Sequence, residues 1–105
     1  MTVSRQAKLS VNEASRPVLP RHVKLRFDDT RQVWVILAPE RVLAPDAIAV
    51  EVLQLCDGTR DVAAMIDQLV LKYTAPRDAI GTDVIVMLQD LADKGFLVEA
   101  KKVSS

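Results

Sequence analysis

The chain has little with which to do chemistry. One cysteine, Cys56, and one histidine, His22, stand in 105 residues. A lone cysteine makes no internal disulfide, which fits a reducing compartment. One residue of each kind excludes most metal sites and most Cys–His catalytic pairs built within one chain. The three glycines are scattered at positions 58, 81 and 95, too far apart to cradle a phosphate. No apolar run reaches the ~18 residues of a transmembrane helix. Met1 to Arg16 holds no apolar stretch of signal-peptide length. A cytoplasmic chain with no membrane partner and no metal is therefore expected. What is present is a hydrophobic half of the residues and a charged 27%, enough for one small domain. A domain of this size buries roughly 60–68% of its extended-chain surface. Such a core is modest, and a deep multi-residue catalytic cleft is not expected.

The net charge is zero, but it is unevenly spread. Arg5, Lys8, Arg16, Arg21, Lys24 and Arg26 face Glu13 alone, while the stretch 27–100 has a clear excess of acids. A nucleic acid would be repelled by that acidic bulk, because its affinity rests on neutralised phosphates.

Residues 1–16 lack apolar periodicity and are rich in Ser, Arg, Gln and Asn, which predicts a disordered tail or linker. The folded domain is expected over 17–99, with a frayed tail at 100–105. From His22 to Phe27 the chain alternates, with Val23, Leu25 and Phe27 on one side, a half-buried strand. Val33 to Leu37 is β-branched and aromatic, a second strand pairing with the first as a hairpin. Pro39 breaks it, and Arg41 to Leu43 is a short third strand. Pro45 and Asp46 open a helix, which Gly58 is expected to end. Asp61 is an N-cap for a second helix with Val62, Met65, Ile66, Leu69 and Tyr73 at helical spacing. A third helix runs from about Asp78 to Lys94 and stops at Gly95. Phe96 to Val98 is a last short strand. The expected class is α+β and winged-helix-like: a small N-terminal antiparallel sheet followed by three helices.

The third helix is the most informative. Its apolar arc, from Met87 through Leu91, Val84 and Leu88 to Ile85, spans roughly 160°, wider than the ~100° needed to pack on one core. One flank, with Val84, Ile85, Leu88 and Ala92, is expected to line a groove for a partner. A DNA recognition helix would show a basic face. This one shows Asp78, Asp83, Asp90 and Asp93. A DNA-binding winged helix is thus the alternative reading, with the charges against it and a protein or peptide binder favoured.

Three segments taken in order resemble the PqqD family, the peptide chaperones of pyrroloquinoline quinone biosynthesis. They are Leu37-Ala38-Pro39-Glu40-Arg41, Leu55-Cys56-Asp57-Gly58, and Leu88-Gln89-Asp90-Leu91 ahead of Gly95-Phe96-Leu97-Val98. The resemblance covers roughly residues 17 to 98. It implies a recognition domain for a ribosomally made precursor peptide, a RiPP recognition element. It also implies delivery of that peptide to a radical-SAM enzyme that cross-links a Glu and a Tyr within it. Family members perform no chemistry themselves and need no cofactor. In this domain class the peptide is expected to add as a strand to the sheet edge, here Arg41, Val42, Leu43 and Ala44. Ordering a peptide costs roughly 1–2 kcal/mol per residue, so apolar side chains must also enter a pocket walled by the third helix. An exposed edge also invites self-pairing, which leaves a homodimer open. Beside these readings stand plainer ones. Asp57-Gly58 is a helix stop, Cys56 a small core residue, His22 a solvated side chain and Trp34 an anchor of the hairpin.

Overall fold

The computed structural model describes residues 9–100. In chain order the elements are β1 (Pro17–Val18), β2 (Lys24–Asp28), β3 (Val33–Ala38), β4 (Arg41–Leu43), α1 (Ala47–Gln54), α2 (Val62–Lys72), α3 (Arg77–Asp93) and β5 (Val98–Glu99). Strands β2, β3 and β4 form one antiparallel sheet in that order, and β1 pairs with β5 in a second, two-stranded one. The α+β class expected from the sequence is what the chain adopts. Winged helix describes it loosely, because only the two-residue β5 follows α3 among the described residues.

Turn chemistry sets the sheet. Asp28 closes the β2–β3 loop by accepting the backbone N–H of Thr30 and Arg31 on Oδ1, at 3.0 and 3.2 Å. Ala38 pairs with Arg41 across the two-residue turn Pro39-Glu40. Proline presets the first turn position, and Glu40 takes φ +65° at the second, a conformation usually given to glycine. In this register Leu25, Ile36 and Leu43 lie side by side on one face, and Phe27 meets Trp34 edge-on at 5.5 Å on that same face. Lys24, Arg26 and Val42 stand on the opposite face.

The helices start where their caps dictate. Asp46 accepts from the Ala49 N–H and Asp61 from the Ala64 N–H. Helix α3 ends in a Schellman arrangement: Phe96 N–H donates to the Leu91 carbonyl, Gly95 N–H to that of Ala92, and Gly95 has φ +87°. That turn drives Phe96 and Leu97 into the core, where they meet the buried faces of all three helices.

Several elements depart from the expectations. Helix α1 stops at Gln54, not Gly58. Leu55 and Cys56 donate to carbonyls three residues back, tightening the last turn, and Gly58 (φ +82°) serves the loop beyond, against Val18 and Ala100. His22 precedes β2 in a turn. Phe96 and Leu97 precede β5 and do not belong to it. The largest difference concerns the expected N-terminal tail. Residues 1–8 and 101–105 lie outside the described residues, but residues 9–16 are docked. The Ser15 and Glu13 carbonyls accept the Val62 and Ala63 N–H at the start of α2, satisfying donors a helix N-terminus leaves open. Ser15 itself is buried. At the other end Ala100, assigned to a frayed tail, donates to the Arg16 carbonyl at 2.8 Å.

Candidate functional site

Strand β4 is one outer strand of the three-stranded sheet. In a two-residue hairpin the closing pair, here Ala38 and Arg41, exchanges the hydrogen bonds. The next residue, Val42, therefore points its N–H and C=O outward, away from β3. Its side chain is 60% exposed. Beside this edge lies a groove of about 290 Å³. One wall is Leu43, Ala44 and Pro45, with Asp46 and Ala49 at the start of α1. The facing wall is the C-terminal half of α3: Met87, Asp90, Leu91 and Lys94. Ile36 of the central strand also lines it.

Arg41 ties the edge strand to the end of α3. Its guanidinium donates to the Lys94 carbonyl at 2.6 Å and lies 4.5 Å above the Phe96 ring centroid. The first bond satisfies a carbonyl that the helix end leaves open, and the second is a cation–π contact. Lys94 Nζ reaches Asp90 at 2.9 Å, so that pair lies along the rim.

A second cleft of about 130 Å³ lies further along α3. Ile48 and Val52 of α1, Leu69 and Tyr73 at the end of α2, and Ile80, Asp83, Val84 and Met87 of α3 enclose it. The Tyr73 hydroxyl and the Lys72 ammonium both donate to Glu51, clipping the end of α2 to α1. These two bonds, Lys72 foremost, hold the Glu51 carboxyl below its usual range.

The sequence-predicted residues divide. Arg41, Val42, Leu43 and Ala44 do form the edge and its shoulder. Leu88 is 0% exposed, and Val84 reaches only the floor of the second cleft. Ile85 shares a different cleft, of about 190 Å³, with Glu13 and Arg77. Ala92 is half-buried against the core. The groove thus uses the Met87–Leu91 margin of the wide apolar arc, not the Ile85–Ala92 margin. On the Ile85 side the chain supplies its own cover. Gln89 accepts the Val11 N–H on Oε1 at 2.9 Å and donates from Nε2 to the Leu9 carbonyl at 2.8 Å. Arg77 donates to both Glu13 and Asp67. A signal for the missed residues was in the sequence: Ile80, Asp83, Met87, Asp90, Leu91 and Lys94 recur at helical spacing along one stripe.

The remaining candidates are structural. Cys56 is buried, its Sγ donates to the Val52 carbonyl at 3.4 Å, and burial pushes the thiol up to about 12. Asp57 accepts the N–H and hydroxyl of Thr59 and bridges to Val18. Among the described residues no group of three or more His, Cys, Asp or Glu is placed to hold a metal ion. No helix there is long and apolar enough to cross a membrane.

Comparison with known proteins agrees with this geometry. The family model described as coenzyme PQQ synthesis protein D (PqqD) matches residues 33–97. A PqqA binding protein of Rhodopseudomonas palustris (strain BisB5) is 76% identical over 94 residues, covering 90% of this chain and 92% of the relative. One from Bradyrhizobium diazoefficiens is 73% identical over 97 residues, covering 92% and 94%. The solution NMR structure of the PqqD truncation of Methylobacterium extorquens PqqCD is 40% identical and superposes with a TM-score of 0.72, covering 85% of this chain and 95% of that one. That protein is described as a functional, stand-alone RiPP recognition element. With the edge strand, the groove and the family's segments all in place, the chain belongs to the family of coenzyme PQQ synthesis protein D.

Proposed function

We propose that this chain is a peptide chaperone. It binds the ribosomally made precursor peptide of pyrroloquinoline quinone, PqqA, as an added strand on β4. It then presents that peptide to a radical-SAM cross-linking enzyme, in the cytoplasm, with no cofactor and no chemistry of its own. The observation that carries this reading is the outer edge of β4, unpaired among the described residues, beside an apolar groove of about 290 Å³. The outward N–H and C=O of Val42 supply the first pair of strand bonds. Backbone pairing alone selects poorly, so a peptide side chain must sit between Leu43 and Leu91. Micromolar affinity needs about −8 kcal/mol net, within reach of one edge and a few buried anchors. The acids along α3 argue against the DNA-binding alternative.

An NMR titration of labelled protein with the precursor peptide tests this. Saturable shifts at the Val42 amide and the Met87 methyl, with none at Asp29, are expected. Their absence, both with peptide alone and with the enzyme added, overturns the reading. A homodimer through β4 would use the same edge. Peptide affinity would then fall as protein concentration rises.

A further inference from the structure

We infer that the cleft among α1, α2 and α3 is a second anchor site for the captured peptide. It takes an aliphatic or phenyl side chain that lies N-terminal to the added strand and is flanked by a basic residue. This rests on strand capture at β4.

Continuity places it. Ile80, Asp83, Met87, Asp90, Leu91 and Lys94 form one stripe of α3, and Met87 is a wall of both the β4 groove and the cleft. On the facing side Ala49 lines the groove and its neighbour Ile48 the cleft. The two depressions are parts of one trough. From Leu91 to Val84 the helix rises about 10 Å, about three residues of extended chain. The sheet is antiparallel throughout. A peptide that continues the pattern runs from the Asp46 end of β4 toward Arg41. The cleft then receives a residue about three positions before the one held at Leu43.

Size selects the side chain. At about 130 Å³, the cleft is slightly smaller than an apolar cavity of about 150 Å³ that holds benzene. A leucine, isoleucine or phenyl group matches that volume more closely than an indole does. Two of its apolar walls stand in solvent: Ile48 is 54% and Tyr73 40% exposed. Covering them adds burial that the fold itself does not provide.

Charge selects the flank. The trough carries Asp46, Asp83 and Asp90 against the single Lys94, which is already on Asp90. Among the described residues Asp83 makes no salt bridge. A lysine or arginine beside the anchor meets that carboxylate at the mouth of the cleft.

The test uses the full chain, methyl-labelled, with the precursor peptide. The Ile48 and Ile80 methyls are expected to shift in step with the Val42 amide, while Ile85 stays still. Ile48→Trp roofs the cleft at an exposed position, and should weaken binding about tenfold. Asp83→Lys should weaken it several-fold at low salt and less at high salt. Asp29→Lys, on the β2–β3 loop, should not. Shifts at Val42 with still Ile48 and Ile80 methyls, or unchanged affinity in Ile48→Trp, overturn the second anchor and leave edge capture standing. No shift at Val42 removes both.

Discussion

The two flanks of α3 have similar composition and opposite fates. On one, Gln89 and Arg77 hold residues 9–16 of the same chain through backbone and carboxylate contacts. On the other, Met87 and Leu91 face β4 across a gap that no described residue fills. A helix with a wide apolar arc needs cover on both sides. Here the N-terminal arm lies along one side, and the other stays open among the described residues. The difference lies in what stands opposite. A closed flank faces a segment that carries its own backbone donors and acceptors. The open flank faces a strand whose outer donors and acceptors are unpaired among the described residues.

The strongest way to break this contrast is to remove what both flanks share. Leu88 is wholly buried between them. Leu88→Ala should cost about 3 kcal/mol of stability, and peptide binding should fall only as the folded fraction falls. Denaturant melts beside the binding assay check this. A binding loss in fully folded protein would mean that Leu88 touches peptide, against its burial.

Leu43→Ala sharpens the contrast on the open flank alone. Leu43 is half-buried and pairs with Ile36 at the groove wall. Affinity for the precursor peptide should drop about tenfold, about 1.4 kcal/mol, with a stability loss of about 1 kcal/mol. Calorimetric titration and thermal melts on one sample separate the two. On the closed flank, Gln89→Ala removes both bonds to the N-terminal arm. Stability should fall by about 1 kcal/mol, and hydrogen exchange at the Val11 amide should quicken. Peptide affinity should change less than twofold. A larger change would couple the flanks.

Much of the sheet and all three helices were legible from local signals: alternation in β2, the caps at Asp46 and Asp61, the stop at Gly95. The edge at Arg41 to Ala44 was legible because Pro39 ends one strand and leaves room for only a short return. The groove's second wall was not. The helical wheel shows two apolar margins on α3, at Met87 and at Ile85, and is silent on which faces the sheet. The decision is made by contacts about 80 residues apart in sequence, Val11 and Leu9 with Gln89. Those arm residues look like tail because their sequence has no apolar periodicity. Backbone groups of the arm, bonded to the start of α2 and to Gln89, hold it together with the packing of Val11 on the core. The pairing of β1 with β5 was hidden because two-residue strands carry no period.

The smallest effect is expected from pH, at the far end of the open flank. Tyr73 walls the second cleft, and its hydroxyl donates to Glu51 together with Lys72. Both bonds favour the carboxylate, so the Glu51 value in the folded protein lies below that of the unfolded chain. The clip is therefore complete above the ordinary carboxylate range of about 4.3, and is lost only as pH falls through the lower folded value. The Tyr73 ring resonances should be flat from neutral pH to about pH 5 and move only under more acidic conditions. In Glu51→Gln that acid-side movement should vanish, with little change in melting temperature, because the Lys72 partner is exposed and screened. A ring that already moves near neutral pH would show that the clip does not hold this wall of the cleft.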